Sequence, residues 1–190
     1  KIISEYINPF VLDKPSLVRM KVVDKGEYHL LMVDMHHIVS DGMSVNTFVS
    51  EFLVLYSGQQ LEPLNRQFRD YSEWMRIRDM SKQEEYWKSQ FDEEPSVLDI
   101  PTDYPRQQIQ SYAGAISEIV LSKEKTEQIK ILSGKTGTTE YMVFLAAFMI
   151  VLSKYSRQED IVIGSPISGR THKDTETMLG MFVNTLAMRG

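Results

Sequence analysis

The chain has 190 residues, 42% of them hydrophobic and 25% charged, with a formal net charge of -5 at pH 7. That length suffices for a core in one domain or two small lobes, and the acidic balance argues against a nucleic-acid binder. Cysteine is absent, which excludes disulfides, thiolate nucleophiles and Cys-ligated zinc and fits a cytoplasmic setting.

The opening "KIISEYINPF" has no basic stretch leading into an apolar one, so no signal peptide is expected. No cluster of Lys or Arg marks an anionic membrane surface. "LVRMKVV" (Leu17–Val23) alternates apolar and polar residues and predicts a half-buried strand. "DKGE" at 24–27 is a turn, Tyr28–His37 a second strand, and the two together a hairpin. Met43–Tyr56 is predicted helical, with Val45, Phe48, Val49, Phe52 and Tyr56 on one face and Gly58 as its C-cap. Arg69–Phe91 reads as two amphipathic helices broken near Met80–Ser81, its aromatics assigned to packing rather than substrate contact. "PSVLDIPTDYP" (Pro95–Pro105) holds three prolines and reads as a linker.

Beyond it, Tyr112–Leu121 is predicted to be a strand. Ser122 should cap a helix running to about Ser133, with "GKTGTT" breaking it. Thr139–Tyr155 is apolar nearly all round and is predicted to be a buried helix. Its apolar run, Tyr141–Leu152, is too short to span a bilayer. Asp160–Gly164 is a short strand, "SPISGR" a loop and Phe182–Arg189 a last strand. The mixture is α/β in the broad sense (α+β), without internal repeats.

Chemistry concentrates in "MVDMHHIVSDG" (Met32–Gly42). On a regular strand His36 and His37 point to opposite faces. His37 then shares the more apolar face with His29, Leu31, Val33 and Met35, facing an interior or a cleft. An imidazole there suits proton transfer, its unperturbed pKa being about 6.5. Asp41 follows four residues later. Gly42 permits backbone conformations closed to other residues and leaves room for a ligand. With a helix N-terminus beside it, the turn could hold an oxyanion. The same residues also admit a bland reading: Asp41 or Ser44 caps the helix, Gly42 turns the chain and the histidines pack. A metal site is the weakest reading, because opposed neighbouring histidines are poor joint ligands and no H-E-x-x-H spacing occurs.

"HHIVSDG" (His36–Gly42) resembles the HHxxxDG signature of condensation domains of non-ribosomal peptide synthetases. Further segments match in order. "INPFVLDKPSLVRM" (Ile7–Met20) resembles the upstream PFDLxxxPLxR. "FRDYSEWM" (Phe68–Met75) resembles YxDYxxWQ, with Phe68 for the first tyrosine and Met75 for the glutamine. "IGSPISGR" (Ile163–Arg170) resembles IGxPxxGR, and "MFVNTLAMR" (Met181–Arg189) resembles MFVNTLALR, departing at Met188.

The resemblance implies a chloramphenicol-acetyltransferase-like two-lobe fold with a tunnel between the lobes. It implies that this chain is a fragment: 1–95 ending the first lobe, 96–110 a linker, 111–190 beginning the second. The implied reaction joins two aminoacyl or peptidyl thioesters through a peptide bond. Both arrive on phosphopantetheine arms of donor and acceptor peptidyl carrier domains, beside a neighbouring adenylation domain. The segment itself is expected to bind no cofactor or metal and to meet neither nucleic acid nor membrane. His37 maps to the histidine that takes a proton from the amine or orients it. Asp41 maps to the structural aspartate, with Arg170 as its expected partner and Arg189 as the alternative. Gly42 would allow close approach of substrate, His36 would be structural, and Ser44 would cap the helix or line the tunnel. His172, in a polar loop, is a minor candidate. The rival readings are another acyltransferase or epimerisation member of the superfamily and a non-catalytic carrier-binding fragment. The isolated segment is expected to be inactive.

Overall fold

A computed structural model describes residues 5–190. Strand β1 (Val18–Asp24) pairs antiparallel with β2 (His29–Met35), in register from Val18 opposite Met35 to Asp24 opposite His29. Gly26 closes the hairpin at φ +82°, in the left-handed region, and its N–H bonds the Asp24 carboxylate at 2.7 Å. Helix α1 (Gly42–Tyr56) follows. Phe48, Phe52 and Tyr56 recur every four residues and stack along it, with ring centroids 6.5 and 5.9 Å apart. The capping residue at its end is Ser57, and Gly58 takes the left-handed position just beyond.

The aromatic segment forms α2 (Phe68–Ile77) and α3 (Ser81–Gln90), separated at Arg78–Met80. Ser122 caps α4 (Lys123–Thr136) by accepting the Lys125 N–H at 3.3 Å. The helix runs past Ser133 because Gly134 stays helical and Gly137, at φ +65°, takes the left-handed cap. Thr139 caps α5 (Glu140–Ser156). Strands β3 (Val162–Ile167) and β4 (Asn184–Arg189) form a second two-stranded pair. Strand β3 takes in Ser165–Ile167, so the predicted loop "SPISGR" begins only at Ser168.

Two predictions fail. Tyr112–Leu121 is not a strand, and Tyr112, Ile116, Ile119 and Val120 are almost fully exposed. Alternating residues make a strand only where a neighbour completes the backbone ladder, and among the described residues none lies beside this segment. Helix α5 forms as expected but is not buried: Tyr141, Phe144, Phe148 and Ile150 are all about half exposed.

The chain divides into two compact units: residues up to Lys82 with Pro166–Thr185, and Gln83–Ser165 with Leu186–Gly190. The partition at 96–110 follows composition, whereas these units follow contacts and group Pro166–Thr185 with the histidine segment. In the first unit Met178 and Phe182 are buried among polar groups: Ser40, Asp41, Ser44 and Thr175. In the second, Ile161 is buried, and it exchanges two backbone bonds with Gly190 at 2.8 and 3.0 Å. There Gln158 pins the linker, donating to the Val97 carbonyl and accepting the Asp99 N–H. No single helix is long and apolar enough to cross a membrane, among the described residues.

Candidate functional site

The strand expected to carry both histidines ends at Met35. Its last bond to the neighbouring segment is His36 N–H to the Leu17 carbonyl, 2.9 Å. Beyond Leu17 the neighbouring chain turns away through Ser16, at φ +69°. The backbone after His36 must therefore satisfy itself locally, and it does so as a 3₁₀ turn, His37–Val39. The face argument for His36 and His37 consequently fails: they are the cap and the first residue of a turn, not successive strand positions. His36 caps this turn by accepting the Ile38 N–H at Nδ1, 3.0 Å away.

His37 is exposed, and its Nδ1 lies 2.7 Å from the Ser40 carbonyl. A carbonyl only accepts, so Nδ1 carries the proton and Nε2 of the neutral ring keeps its lone pair. Beside the turn, Val33, Met35, Ser40, Val45, Phe48 and Val49 line a cavity of about 330 Å³.

Asp41 caps α1. Its Oδ1 accepts the Ser44 N–H at 2.7 Å, and Oδ2 accepts the Phe182 N–H at 3.1 Å. Arg170, not Arg189, reaches it: Nη2 lies 3.0 Å from Oδ1, with the two side chains 2% and 1% exposed. Burial pushes the Asp41 carboxyl up. The hydrogen bonds from Ser44 N–H, the Ser44 hydroxyl, Phe182 N–H and Arg170 outweigh it, and the carboxyl sits below the usual range. The carboxylate thus takes the Ser44 N–H at the helix N-terminus, the end where an oxyanion was expected.

Ser44 is fully buried. Its Oγ lies 2.8 Å from Asp41 Oδ1, 2.9 Å from Arg170 Nη2, and 2.8 and 3.0 Å from the Gly180 carbonyl and N–H. It thereby ties the start of α1 to the Met178–Phe182 segment. Arg170 also donates to the Thr175 and Met178 carbonyls and lies 4.0 Å over the Phe182 ring. Gly42 is the first residue of α1, outside the left-handed region, with open space where a side chain would stand. Its conformational freedom is not needed; the room beside it is what remains of that expectation.

Sequence reasoning missed Phe182 and Gly180. Phe182 packs against Phe68 and Tyr71, with centroids 5.0 and 4.7 Å apart, and a side chain at Gly180 would collide with the Phe68 ring. Phe68 and Tyr71 of "FRDYSEWM" thus pack beside the buried polar cluster, whereas Trp74 is 40% exposed. The matched segment "MFVNTLAMR" held Phe182 but not Gly180, which lies just before it, and a match alone does not say what a residue touches. His172 accepts the Asp174 N–H at 3.2 Å and caps the turn Lys173–Thr175. Arg189 instead pairs with Asp160 at 2.8 Å.

The family model for the condensation domain matches residues 1–190. The chain belongs to the condensation-domain family. Tyrocidine synthase 3 of Brevibacillus parabrevis is 43% identical over 194 residues, covering 100% of this chain and 3% of that protein. Gramicidin S synthase 2 of Brevibacillus brevis is 47% identical, with 100% and 4% covered. Bacitracin synthase 2 of Bacillus licheniformis is 45% identical, with 98% and 7% covered. This condensation-family chain thus spans a small part of the synthetases it resembles. Its fold matches a four-domain nonribosomal peptide synthetase bound to AMP and glycine, with a TM-score of 0.82, 24% identity, and 99% of this chain and 15% of that one covered. It also matches the first condensation domain of the calcium-dependent antibiotic synthetase, with a TM-score of 0.72, 22% identity, and 99% and 44% covered. The architecture is therefore the mixed α/β, chloramphenicol-acetyltransferase-like fold of condensation domains, represented in part.

Proposed function

We propose that this segment carries the reacting histidine of a condensation domain. That domain joins two aminoacyl or peptidyl thioesters presented on phosphopantetheine arms by donor and acceptor carrier domains, next to an adenylation domain. The observation that carries the reading is the His37 ring: exposed, with Nδ1 held by the Ser40 carbonyl, so that Nε2 is the free acceptor. Nε2 accepts a hydrogen bond from the acceptor's amine and directs its lone pair at the donor carbonyl carbon. As the C–N bond forms, the amine proton moves to Nε2. The C–S bond then breaks and the proton passes to the departing thiolate, so the histidine ends as it began. Asp41 and Arg170 touch neither substrate; they hold the turn. The open space beside Gly42 leaves room for the substrate chain. Holding two tethered reactants in line supplies much of the rate.

The test uses the intact synthetase module with both carrier domains loaded. Dipeptidyl thioester is followed by mass spectrometry for wild type and for His37→Ala. The expected loss is about 100-fold or more in a folded variant. Near-wild-type turnover in His37→Ala would remove the histidine from the chemistry. Failure of wild type to form dipeptide with several substrate pairs would leave carrier binding as the function of the segment.

A further inference from the structure

The segment "INPFVLDKPSLVR" is not used by the reaction as written, yet it is built against the histidine turn. Phe10 is half-buried, and the Arg19 guanidinium lies 3.9 Å over its ring centroid. Arg19 also meets its cross-strand partner Asp34 at 2.5 Å and donates to the Asn8 carbonyl. The Tyr6 hydroxyl lies 2.7 Å from the Arg19 carbonyl and 3.2 Å from the Met32 carbonyl, touching both strands. Phe10 stands edge-on to His36, with centroids 5.9 Å apart at 89°. His36 in turn organises the turn. Its carbonyl accepts the Val39 N–H at 3.1 Å and the Ser40 hydroxyl at 3.3 Å, and the Ser40 carbonyl receives His37 Nδ1. An unbroken series of contacts therefore runs Asp34, Arg19, Phe10, His36, Ser40, His37.

We propose that Phe10 and Arg19 are positioning residues for His37: the ring, clamped by the guanidinium, seats His36 and so fixes the direction of the His37 Nε2 lone pair. This rests on the condensation reading for its consequence in rate, but not for its geometry. An aromatic ring is required, because only a π face attracts the guanidinium and only a flat ring pairs with the imidazole in a perpendicular, T-shaped contact. An aliphatic side chain of similar bulk fills the space and does neither.

The experiment uses the intact module with loaded carriers and compares wild type, Phe10→Leu, Phe10→Tyr and Arg19→Met. Val11→Ala, at a neighbouring position that is 55% exposed, is the control. Two quantities are measured: single-turnover dipeptide formation, with the KM for a soluble acceptor thioester, and carbethoxylation of each histidine by diethyl pyrocarbonate, mapped by mass spectrometry. Phe10→Leu and Arg19→Met are expected to lower turnover about tenfold with KM little changed. The labelling rates of His36 and His37 should shift while those of His29 and His172 stay put, and Phe10→Tyr should restore both readouts. A merely structural role would move all four histidines together with the melting temperature, and that result overturns the proposal. So does wild-type turnover and labelling in Phe10→Leu. Should wild type form no dipeptide, the condensation reading fails, and the His36 and His37 labelling alone decides whether the clamp holds the turn.

Discussion

Arg170 and Arg189 have nearly the same kind of neighbourhood. Each meets a carboxylate at about hydrogen-bond distance, 3.0 Å to Asp41 and 2.8 Å to Asp160. Each lies over a phenylalanine, 4.0 Å from Phe182 and 5.5 Å from Phe91, and each donates to backbone carbonyls. They differ in water. Arg170 and Asp41 are almost wholly enclosed, whereas Arg189 and Asp160 are 29% and 37% exposed. Enclosure removes the screening that weakens an ion pair, and it makes the loss of either partner costly. The pair beside the histidine turn is therefore the one whose breakage the fold cannot absorb.

Breaking the enclosed pair should give the largest stability effect. Arg170→Met leaves the Asp41 charge without its partner and should cost about 3–5 kcal/mol, read by urea unfolding of the whole domain. A midpoint within error of wild type would mean that water reaches Asp41 and compensates it.

Acid titration sharpens the contrast next. The Asp41 carboxyl is depressed in the folded state, so its contribution is fully present above the ordinary carboxylate pKa, about 3.9. It is lost as pH falls through the depressed value. Stability should thus hold steady from neutrality to about pH 5, fall steeply below pH 4, and fall less steeply in Asp41→Asn. A wild-type acid loss no steeper than that of Asp41→Asn would contradict the role given to Asp41.

The smallest effect belongs to Arg189→Met. The exposed pair with Asp160 is screened, and whatever stability it contributes should shrink further with added salt. A salt-insensitive loss comparable to that of Arg170→Met would erase the distinction between the two arginines.

The same distinction marks what the residues alone reveal. Helices α1, α2, α3 and α4 and the hairpin are local structures, and their periodicity, caps and turn glycine are visible along the chain. So were the residues of the turn, since Asp41 and Arg170 lie in matched segments. Arg170 was already the expected partner of Asp41, with Arg189 the alternative; the distances put Arg170 on Asp41 and Arg189 on Asp160. His36 and His37 were misplaced on a strand because alternation does not show where the opposite strand runs out, here at Leu17. Tyr112–Leu121 and α5 fail for a related reason. An apolar pattern shows which surface favours cover, not whether these residues supply it. Phe10 meets His36 26 positions away, and Gly180 and Phe182 meet Ser44 and Asp41 136 and 141 positions away, which no spacing rule reaches.

Under the proposed function, Asp41 serves the reaction by holding the turn that carries His37. The most direct test is a double-mutant comparison in the intact module: single-turnover dipeptide formation by wild type, His37→Ala, Asp41→Asn and the two together. Asp41→Asn should slow wild type substantially yet leave His37→Ala unchanged, because the held group is already gone. Multiplied losses in the double variant would show that Asp41 acts independently of His37 and would contradict its role as the holder of the turn.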